Sequence, residues 1–327
     1  MNYSVAIRTL GTNPDILRQE LKSIFCQTIL PEKVIVYIAQ GYQRPDFTVG
    51  NEQYVWVKKG MVAQRALQYR EIDSELLFLL DDDVEFAPDS AEKLIKALQE
   101  NNADCVGVDT FRNHQMSVVS KIYAGVTNFV FPHLSERWAF KMHKNGSFSY
   151  HNNPVKDFYW SQSCAGPCSL WRKESLNKLH WDDELWLDNL GFAYGDDTVE
   201  FYKLYVNGGR LGIHFSSGVK NIDAKTASGI FQRDVKKFYV RSYASLLIWY
   251  RTIYMVLKQK REYVSAFIAW MFFAIKTIWL LLVNVMAGIV QLDARIPYYY
   301  IKGIMDGVTY AHSQDFRNIP SYLIKLP

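Results

Sequence analysis

The chain has 327 residues, enough for one large domain with an appendage or for two domains. It carries 37 Lys and Arg and 33 Asp and Glu, a formal net charge of +4, without a block of five or more like charges. This balance argues against nucleic acid as a partner. Four scattered cysteines fit neither a disulfide framework nor a zinc site, and residues 1–7 lack the pattern of a signal peptide, so we expect a cytoplasmic catalytic part.

The first forty residues predict a strand, a helix and a second strand. Tyr3–Thr9 alternates and is rich in β-branched residues, which favours a strand. Asn13 and Pro14 are typical of a helix start, and apolar residues then recur at helical spacing as far as Thr28. Val34–Ala39 is a second apolar strand. Such a βαβ unit requires a parallel strand pair with a right-handed crossover.

Strands and helices continue to alternate along the chain. The pattern predicts a strand at Tyr54–Val57, a helix at Met61–Tyr69, a strand from Leu76, a helix from Asp89, strands at Cys105–Val108 and Pro167–Trp171, a helix through Leu179 and a helix from Asp196. Residues 110–170 show no long period, and their histidines, His114 among them, lack the spacing of metal ligands. The order predicts an α/β fold with a doubly wound mixed sheet and helices on both faces.

Two acidic clusters are candidates for chemistry. An apolar run from Leu76 ends in Asp81, Asp82 and Asp83, and ligands of open α/β sheets bind beyond the carboxyl ends of strands. These carboxylates would suit Mg²⁺ or Mn²⁺ and, through the ion, phosphate; the alternative is a solvated turn that caps the helix from Asp89. A second cluster follows at 181–184 and 195–197, where acids in a first helical turn also fit a capped helix.

The order of these features resembles the inverting family 2 glycosyltransferases of the GT-A fold, the fold of nucleotide-diphospho-sugar transferases. The resemblance covers about residues 3–215. Ser23–Thr28 and the strand after it resemble the first helix and second strand of that family, and Leu79–Asp83 is similar to its metal-binding Asp-x-Asp. Residues 181–184 and 195–197 are similar to its Phe-Asp-Glu and Gly-Glu-Asp segments.

The resemblance implies a role for each matching acid. Asp81 and Asp83 would hold a divalent metal, Mn²⁺ or Mg²⁺, that bridges the two phosphates of the donor. Asp82 would lie near the ribose or sugar of the donor. Asp197 would act as the general base, and Asp196 would orient it or contact the acceptor.

The resemblance also suggests further donor, metal and acceptor contacts. The candidates are Thr9, Gln40 and Arg65 for the donor, His214 as a further metal ligand, and Trp171, Trp181 and Asp183 for the acceptor. Ala39-Gln40-Gly41-Tyr42 replaces the Asp-Asp-Gly-Ser of the family, so recognition of the nucleotide base would fall to Gln40. His214 equally fits an ordinary strand histidine.

The last third of the chain is different in character. Residues 266–290 are almost continuously apolar and long enough to cross a bilayer, with basic residues before them at 258–261. Lys276 and Asn284 would be costly in a single span, so an interfacial helix and a helix packed on protein stay open. We expect a catalytic domain at 1–235 and a helical, membrane-associated region at 236–327.

The features together predict an inverting, metal-dependent glycosyltransferase of the hexosyltransferase class. It would move a sugar from a nucleotide-diphosphate donor to a glycan or polyprenyl-linked acceptor in bacterial surface polysaccharide (capsule or O-antigen) biosynthesis, at the cytoplasmic face of the inner membrane. Tyr298–Gly307 resembles the tail of rhamnosyltransferase-like members. The alternatives are a sugar-nucleotide nucleotidyltransferase, whose glycine-rich loop is missing after Thr9, or a non-catalytic glycan-binding or scaffold subunit. A homo-oligomer is left open.

Overall fold

An eight-stranded mixed sheet lies at the centre of the molecule, with strand order β3-β2-β1-β4-β10-β6-β11-β9. The computed structural model describes residues 2–109, 117–127, 129, 137–151, 154–190, 194–222 and 234–324. Its strands are β1 (Tyr3–Thr9), β2 (Val34–Ala39), β3 (Gln53–Val57), β4 (Leu76–Asp81), β5 (Val84–Phe86), β6 (Cys105–Val108), β7 (Phe140–Met142), β8 (Phe148–Tyr150), β9 (Phe158–Ser161), β10 (Cys168–Arg172), β11 (Leu211–His214) and β12 (Val219–Asn221). Two small antiparallel sheets pair β5 with β12 and β7 with β8.

The helices fall into a group that accompanies the large sheet and a C-terminal group. The first group is α1 (Pro14–Phe25), α2 (Ser90–Glu100), α3 (Val118–Thr127), α4 (Lys173–Asn177), a 3-10 segment (Trp181–Leu190) and α5 (Asp196–Val206). The second group is α6 (Lys237–Trp249), a π-helical turn (Tyr250–Tyr254), α7 (Met255–Gln259), α8 (Tyr263–Val290), α9 (Arg295–Ala311) and α10 (Gln314–Arg317). Among the described residues, α8 alone is long and apolar enough to cross a membrane by length and composition.

The sheet is buried on both faces. Alternate residues of β4 enter two different cores, Leu77 and Leu79 on one side and Phe78 and Leu80 on the other. Because successive strand residues point to opposite faces, an unbroken apolar run is what such a strand requires. Helices α1 and α2 cover one face, and α5 with the C-terminal helices covers the other. The mixed α/β fold agrees with the prediction and with a GT-A architecture.

The first four strands of the sheet order are parallel, and their carboxyl ends meet at one edge. β1 pairs in parallel with β2 and β4, whereas β10 runs antiparallel between β4 and β6. Asp81 is the last residue of β4 and pairs in register with Arg8 of β1. The acidic triplet therefore begins at the edge where an α/β sheet binds its ligands.

Several local predictions were wrong. Residues 61–69 form turns rather than a helix. The helices do begin after Asn13 and Asp89 as predicted, although neither residue makes a side-chain cap hydrogen bond, and Asp89 pairs with Lys93. Regular elements occur within 110–170, namely α3 and β7 to β10, although residues 110–116 with His114 lie outside the described part.

The hydrophobic core continues across the predicted domain boundary at residue 235. Phe201 of α5 and Trp249 of α6 belong to the same buried cluster, which also contains Phe273 of α8. The rings of Trp249 and Phe273 stack with centroids 4.0 Å apart. The division into two domains stays a prediction, but the C-terminal helices pack directly on the catalytic part.

Candidate active site

One buried arginine joins the two acidic clusters. Arg65, with 4% of its side chain exposed, lies 3.0 Å from Asp81 through Nη2 and 2.5 Å from Asp197 through Nη1. Its Nη1 also lies 3.7 Å from Asp196 and 3.6 Å from Glu200. The end of β4 and the start of α5 are thus brought together at a single guanidinium, as the sequence predicts for one site.

A second arginine, which sequence reasoning missed, lies beside the first. Arg8 bonds both oxygens of Asp81, with Nη2 3.2 Å from Oδ2, and its Nη1 is 3.7 Å from Asp196. Its Nη1 also donates to the carbonyl of Met61 at 2.9 Å. The sequence contained a sign of this contact, because a charged residue such as Arg8 near the carboxyl end of a mostly buried strand needs a partner of opposite charge.

Arg65 is positioned by a turn rather than by a helix. Both carboxylate oxygens of Asp188 accept backbone N–H groups of that turn, from Val62 at 2.8 Å and from Ala63 at 3.1 Å. Gln64 donates to the carbonyl of Thr9 at 3.1 Å. These bonds hold the turn together with its own backbone bonds, from Gln64 N–H to the Gly60 carbonyl and from Ala66 N–H to the Val62 carbonyl, and they position Arg65 in the site.

Gly166 completes the contact between Arg65 and Asp197. Its carbonyl accepts from Arg65 Nη2 at 2.6 Å, and its N–H donates to Asp197 Oδ2 at 3.0 Å. A Cβ at this position would lie 2.0 Å from Asp197 Oδ1 and 2.6 Å from Arg65 Nη1. Only glycine leaves room for this ion pair, a requirement that sequence reasoning did not detect.

The acids of the site differ in their ionisation. Burial raises the pKa of Asp81, but the guanidiniums of Arg8 and Arg65 outweigh it and lower that pKa to about 2. Burial, helped by the charge of Asp197, raises the pKa of Asp196 to about 6. Burial likewise raises the pKa of Glu200 to about 7. The site therefore holds its acids in different protonation states near neutral pH.

Asp197 is the most accessible of the three acids at the start of α5. Its side chain is 32% exposed, against 8% for Asp196 and 1% for Glu200. Gly195 precedes them in the left-handed conformation, with φ of 75°, and turns the chain into the helix. A bound acceptor could therefore reach Asp197, while Asp196 and Glu200 lie behind it.

The predicted donor residues lie at the same edge. Thr9 donates to Asp82 and accepts from the backbone N–H of Gly11 at 2.7 Å. Gln40 follows β2 and is exposed. Their contacts with a nucleotide stay predictions.

The central part of the chain matches a known family. Residues 55–179 match the family described as glycosyl transferase family 2. The match contains the acidic triplet, Arg65 and Gly166, and ends before Asp196. It supports a glycosyltransferase, whereas the bacterial surface-polysaccharide and rhamnosyltransferase-like subtypes stay predictions. A search of curated proteins found no match to the chain.

Members of family 2 commonly use divalent metals, and the acids present fit such an ion in part. In the described part of the chain no group of three His, Cys, Asp or Glu side chains could hold a metal. Mg²⁺ is usually bound by one or two carboxylates together with substrate phosphates. Asp82 and Asp83 could provide these carboxylates. The ligand role predicted for Asp81 does not fit this arrangement, because Arg8 and Arg65 bond its oxygens.

His214 lies at the end of β11 and is 8% exposed. Burial, helped by the charge of Lys93, lowers the pKa of His214. The charge of Asp157 opposes this shift without reversing it. These neighbours are not the acids of the triplet, so the alternative of an ordinary strand histidine describes its surroundings better.

Two of the three acceptor candidates are buried. Trp171 is 0% exposed, stacks on Phe201 at 5.4 Å between ring centroids and donates to Ser169. Trp181 is 4% exposed. Direct acceptor contact does not fit either tryptophan in this structure, because their apolar rings fill the core. Asp183 lies 3.4 Å from the buried Lys203, and its acceptor role stays a prediction.

The buried Glu200 predicts that stability falls as the pH rises. Because its pKa is raised from 4.5 to about 7, the folded protein binds this proton more tightly than the unfolded chain between those values. The stabilisation is fully present below pH 4.5 and is lost as the pH rises through 7. In Glu200→Gln, which cannot titrate, we expect a flatter pH profile and a free energy of unfolding at pH 8 higher by roughly 1–3 kcal/mol.

Urea denaturation at pH 5 and pH 8 measures this difference. Glu75→Gln, at an exposed position, is the matched control and should leave the pH dependence unchanged. Equal pH profiles for wild type and Glu200→Gln would show that Glu200 is ionised throughout this range.

Proposed function

We propose that this chain is an inverting glycosyltransferase that uses a nucleotide-diphosphate sugar, with Asp197 as its general base. One observation carries the proposal: Arg65 lies 2.5 Å from Asp197 at the start of α5 and 3.0 Å from Asp81 at the end of β4. This places an accessible carboxylate beside the sheet edge where the donor would bind. The match of residues 55–179 to family 2 supports the same reaction class.

The reaction needs one base and a stabilised leaving group. The hydroxyl oxygen of the acceptor attacks the anomeric carbon, while its proton passes to the Asp197 carboxylate. The bond from that carbon to the diphosphate breaks, and its electron pair leaves with the nucleoside diphosphate. Attack on the face opposite the leaving group inverts the anomeric centre. Hydrogen bonds from Arg65 and Gly166 would hold the Asp197 carboxylate in position during this transfer.

The charge of the site bears on how a diphosphate enters. Arg8 and Arg65 already face Asp81 and Asp197, and further acids surround them. A diphosphate would be repelled from such an acidic edge, so we propose that it binds together with Mg²⁺ or Mn²⁺ at Asp82 and Asp83. When bound, this ion would offset the negative charge of the leaving diphosphate.

For the acceptor we propose a glycan or a polyprenyl-linked saccharide of a bacterial surface polysaccharide. The support is the resemblance of Tyr298–Gly307 to rhamnosyltransferase-like tails and the apolar helix α8. The inner membrane, approached from the cytoplasm, is the location that such an acceptor requires.

A panel of UDP-, GDP- and dTDP-sugars tests the proposed reaction. We expect one donor to be turned over by the full chain, with release of the nucleoside diphosphate and a dependence on Mn²⁺ or Mg²⁺ that EDTA removes. Calorimetry with UDP, GDP and dTDP, with and without MnCl₂, gives an independent reading. Nucleotide binding without turnover would favour the scaffold alternative, and turnover unaffected by EDTA would contradict the metal proposal.

A further inference from the structure

Helix α8 is buried along one side for almost its whole length. The residues of this inner side recur at spacings of mostly three and four, which keeps them on one face of a helix. They are Ala266, Ala269, Phe273, Lys276, Asn284 and Gly288. The only charged residue of α8 is among them, so the polar groups of the helix face the protein.

Polar parts of the catalytic region contact both the start and the middle of α8. Lys144, in the turn between β7 and β8, lies 3.3 Å from the hydroxyl of Ser265. In the same turn, the carbonyl of Asn145 accepts from Lys276 Nζ at 3.3 Å. If α8 crossed a bilayer, its midpoint would carry this polar turn into the hydrocarbon layer, which has no water to solvate it. The contacts therefore exclude a spanning orientation for α8 in this packing.

The outer side of α8 is entirely apolar, the reverse of the usual pattern for a surface helix. Its most exposed side chains are Tyr263, Val264, Phe267, Trp270, Phe272, Ile275, Ile278, Leu282, Met286, Ile289 and Val290. The helix has 28 residues, so this apolar strip is about 42 Å long. Soluble monomers rarely expose a continuous apolar surface of this extent.

Helix α3 adds a second apolar surface next to the first. Trp279 of α8 donates through Nε1 to the carbonyl of Val126 at 2.7 Å, which joins the two helices. The exposed fractions of Val119, Ile122 and Tyr123 on α3 are 76%, 61% and 70%. We call α3 and the outer side of α8 together the apolar face.

The charge of the chain indicates what covers this face. Residues 236–327 contain 12 Lys and Arg but four Asp and Glu, so they are strongly basic although the chain as a whole is near balance. Lys258, Lys260 and Arg261 lie directly before α8, and all three are exposed. A second copy would bring the same positive charge against itself, whereas an anionic bilayer complements it. Trp and Tyr side chains on the face suit the headgroup region.

We propose that the apolar face lies in the boundary between headgroups and acyl chains of an anionic bilayer, with α8 parallel to the membrane plane. α3 follows β6, whose carboxyl end lies at the sheet edge that carries Asp81. In the described part of the chain, β6 is thus the last strand before α3, and it ends at the edge of the sheet that carries the candidate active site. A lipid-linked acceptor would reach the site laterally, without leaving the bilayer surface.

Flotation with vesicles of phosphatidylcholine and phosphatidylglycerol tests the lipid contact, and the full chain is used. We expect wild type to float with vesicles that contain phosphatidylglycerol and to bind less at high salt. Ile278→Glu combined with Leu282→Glu should lower the bound fraction by about tenfold or more, and Ile122→Glu should lower it measurably. Leu30→Glu is the matched control, since Leu30 is 63% exposed far from this face in the chain, and it should bind like wild type.

Site-specific labelling distinguishes a parallel helix from a spanning one. In a Cys26→Ser background, which removes the exposed cysteine, Glu262→Cys and Gln291→Cys place one thiol at each end of α8, at exposed polar positions outside the apolar face. A membrane-impermeant maleimide added outside the vesicles should modify both thiols. Protection of one end would establish a span and overturn the proposal.

Three further results would also overturn it. Wild type that does not float would contradict the lipid contact, and a stable dimer that Ile278→Glu with Leu282→Glu dissociates would assign the apolar face to a second copy. Ile122→Glu that binds as tightly as Leu30→Glu would remove α3 from the contact. Flotation uses neither donor nor acceptor, so its outcome is independent of the proposed sugar transfer.

Discussion

Replacing Asp197 by Asn is expected to lower kcat by about a hundred- to ten-thousandfold while the KM for the donor changes by less than about threefold. The amide is close in size to the carboxylate and can still accept from Arg65 through Oδ1. It cannot take a proton from the acceptor hydroxyl. Because Asp197 is 32% exposed and partly solvated, the fold should tolerate the change, which circular dichroism and the melting temperature can confirm.

Asp196→Asn and Asp15→Asn are the comparisons for this variant. Asp196 is nearly buried and lies behind Asp197, so we treat it as a positioning residue whose loss should lower kcat less and shift its pH profile. Asp15 is 94% exposed on α1 and should be neutral. If Asp196→Asn lost more activity than Asp197→Asn, the general base would be Asp196. Full turnover in both variants would contradict the mechanism.

Much of the sheet could be predicted because its determinants are local. β2 is an unbroken apolar run and so is β4 up to Asp81, which is enough to indicate strands buried on both faces, and β1 alternates and is rich in β-branched residues. The order of strands and helices then predicted an α/β fold with a sheet edge at the acidic triplet. That Asp81 and Asp197 belong to one site was implied by the family resemblance and not by the order of strands and helices.

The partners of the charged residues could not be predicted, because they are distant in the sequence. Asp188 bonds the backbone of Val62 and Ala63 more than 120 positions away, a contact that the local pattern of 61–69 does not contain. Arg8 meets Asp81 across two paired strands. In the sequence, the acidic triplet is compatible with a metal site at all three residues. Only the fold shows that the carboxylate of Asp81 is bonded by two arginines.

The C-terminal region shows the same limit. Length and apolar composition identified α8 as able to reach a membrane, but these properties are shared by spanning and parallel helices. Whether such a helix spans the membrane or lies parallel to it depends on which side of the helix is covered by the rest of the protein. Lys276 determines this through Asn145, a residue 131 positions away, which no local period could show.

Arg251 gives the largest effect on stability that we expect from a single substitution. In the π-helical turn after α6, its guanidinium donates to both oxygens of Glu184 at 2.6 and 2.7 Å and to the carbonyl of Pro320 at 3.0 Å. Arg251 is 1% exposed and Glu184 is 0% exposed. In Arg251→Met, Glu184 would keep Lys203 and Trp186 as hydrogen-bond donors. The Pro320 carbonyl would lose the hydrogen bond from Arg251. Breaking a buried pair from one side costs about 3–5 kcal/mol, which we expect here.

Lys178→Met is the matched control, because it deletes one partner of an ion pair of equal distance at the surface. Lys178 lies 2.6 Å from Glu174, but the two side chains are 67% and 80% exposed. Its loss should change the free energy of unfolding by less than about 1 kcal/mol. Urea denaturation of both variants measures the difference, and a similar small loss in both would show that the pair contributes little. A large loss in Arg251→Met, accompanied by protease cleavage near residue 235, would show that this ion pair holds the C-terminal helices on the catalytic part.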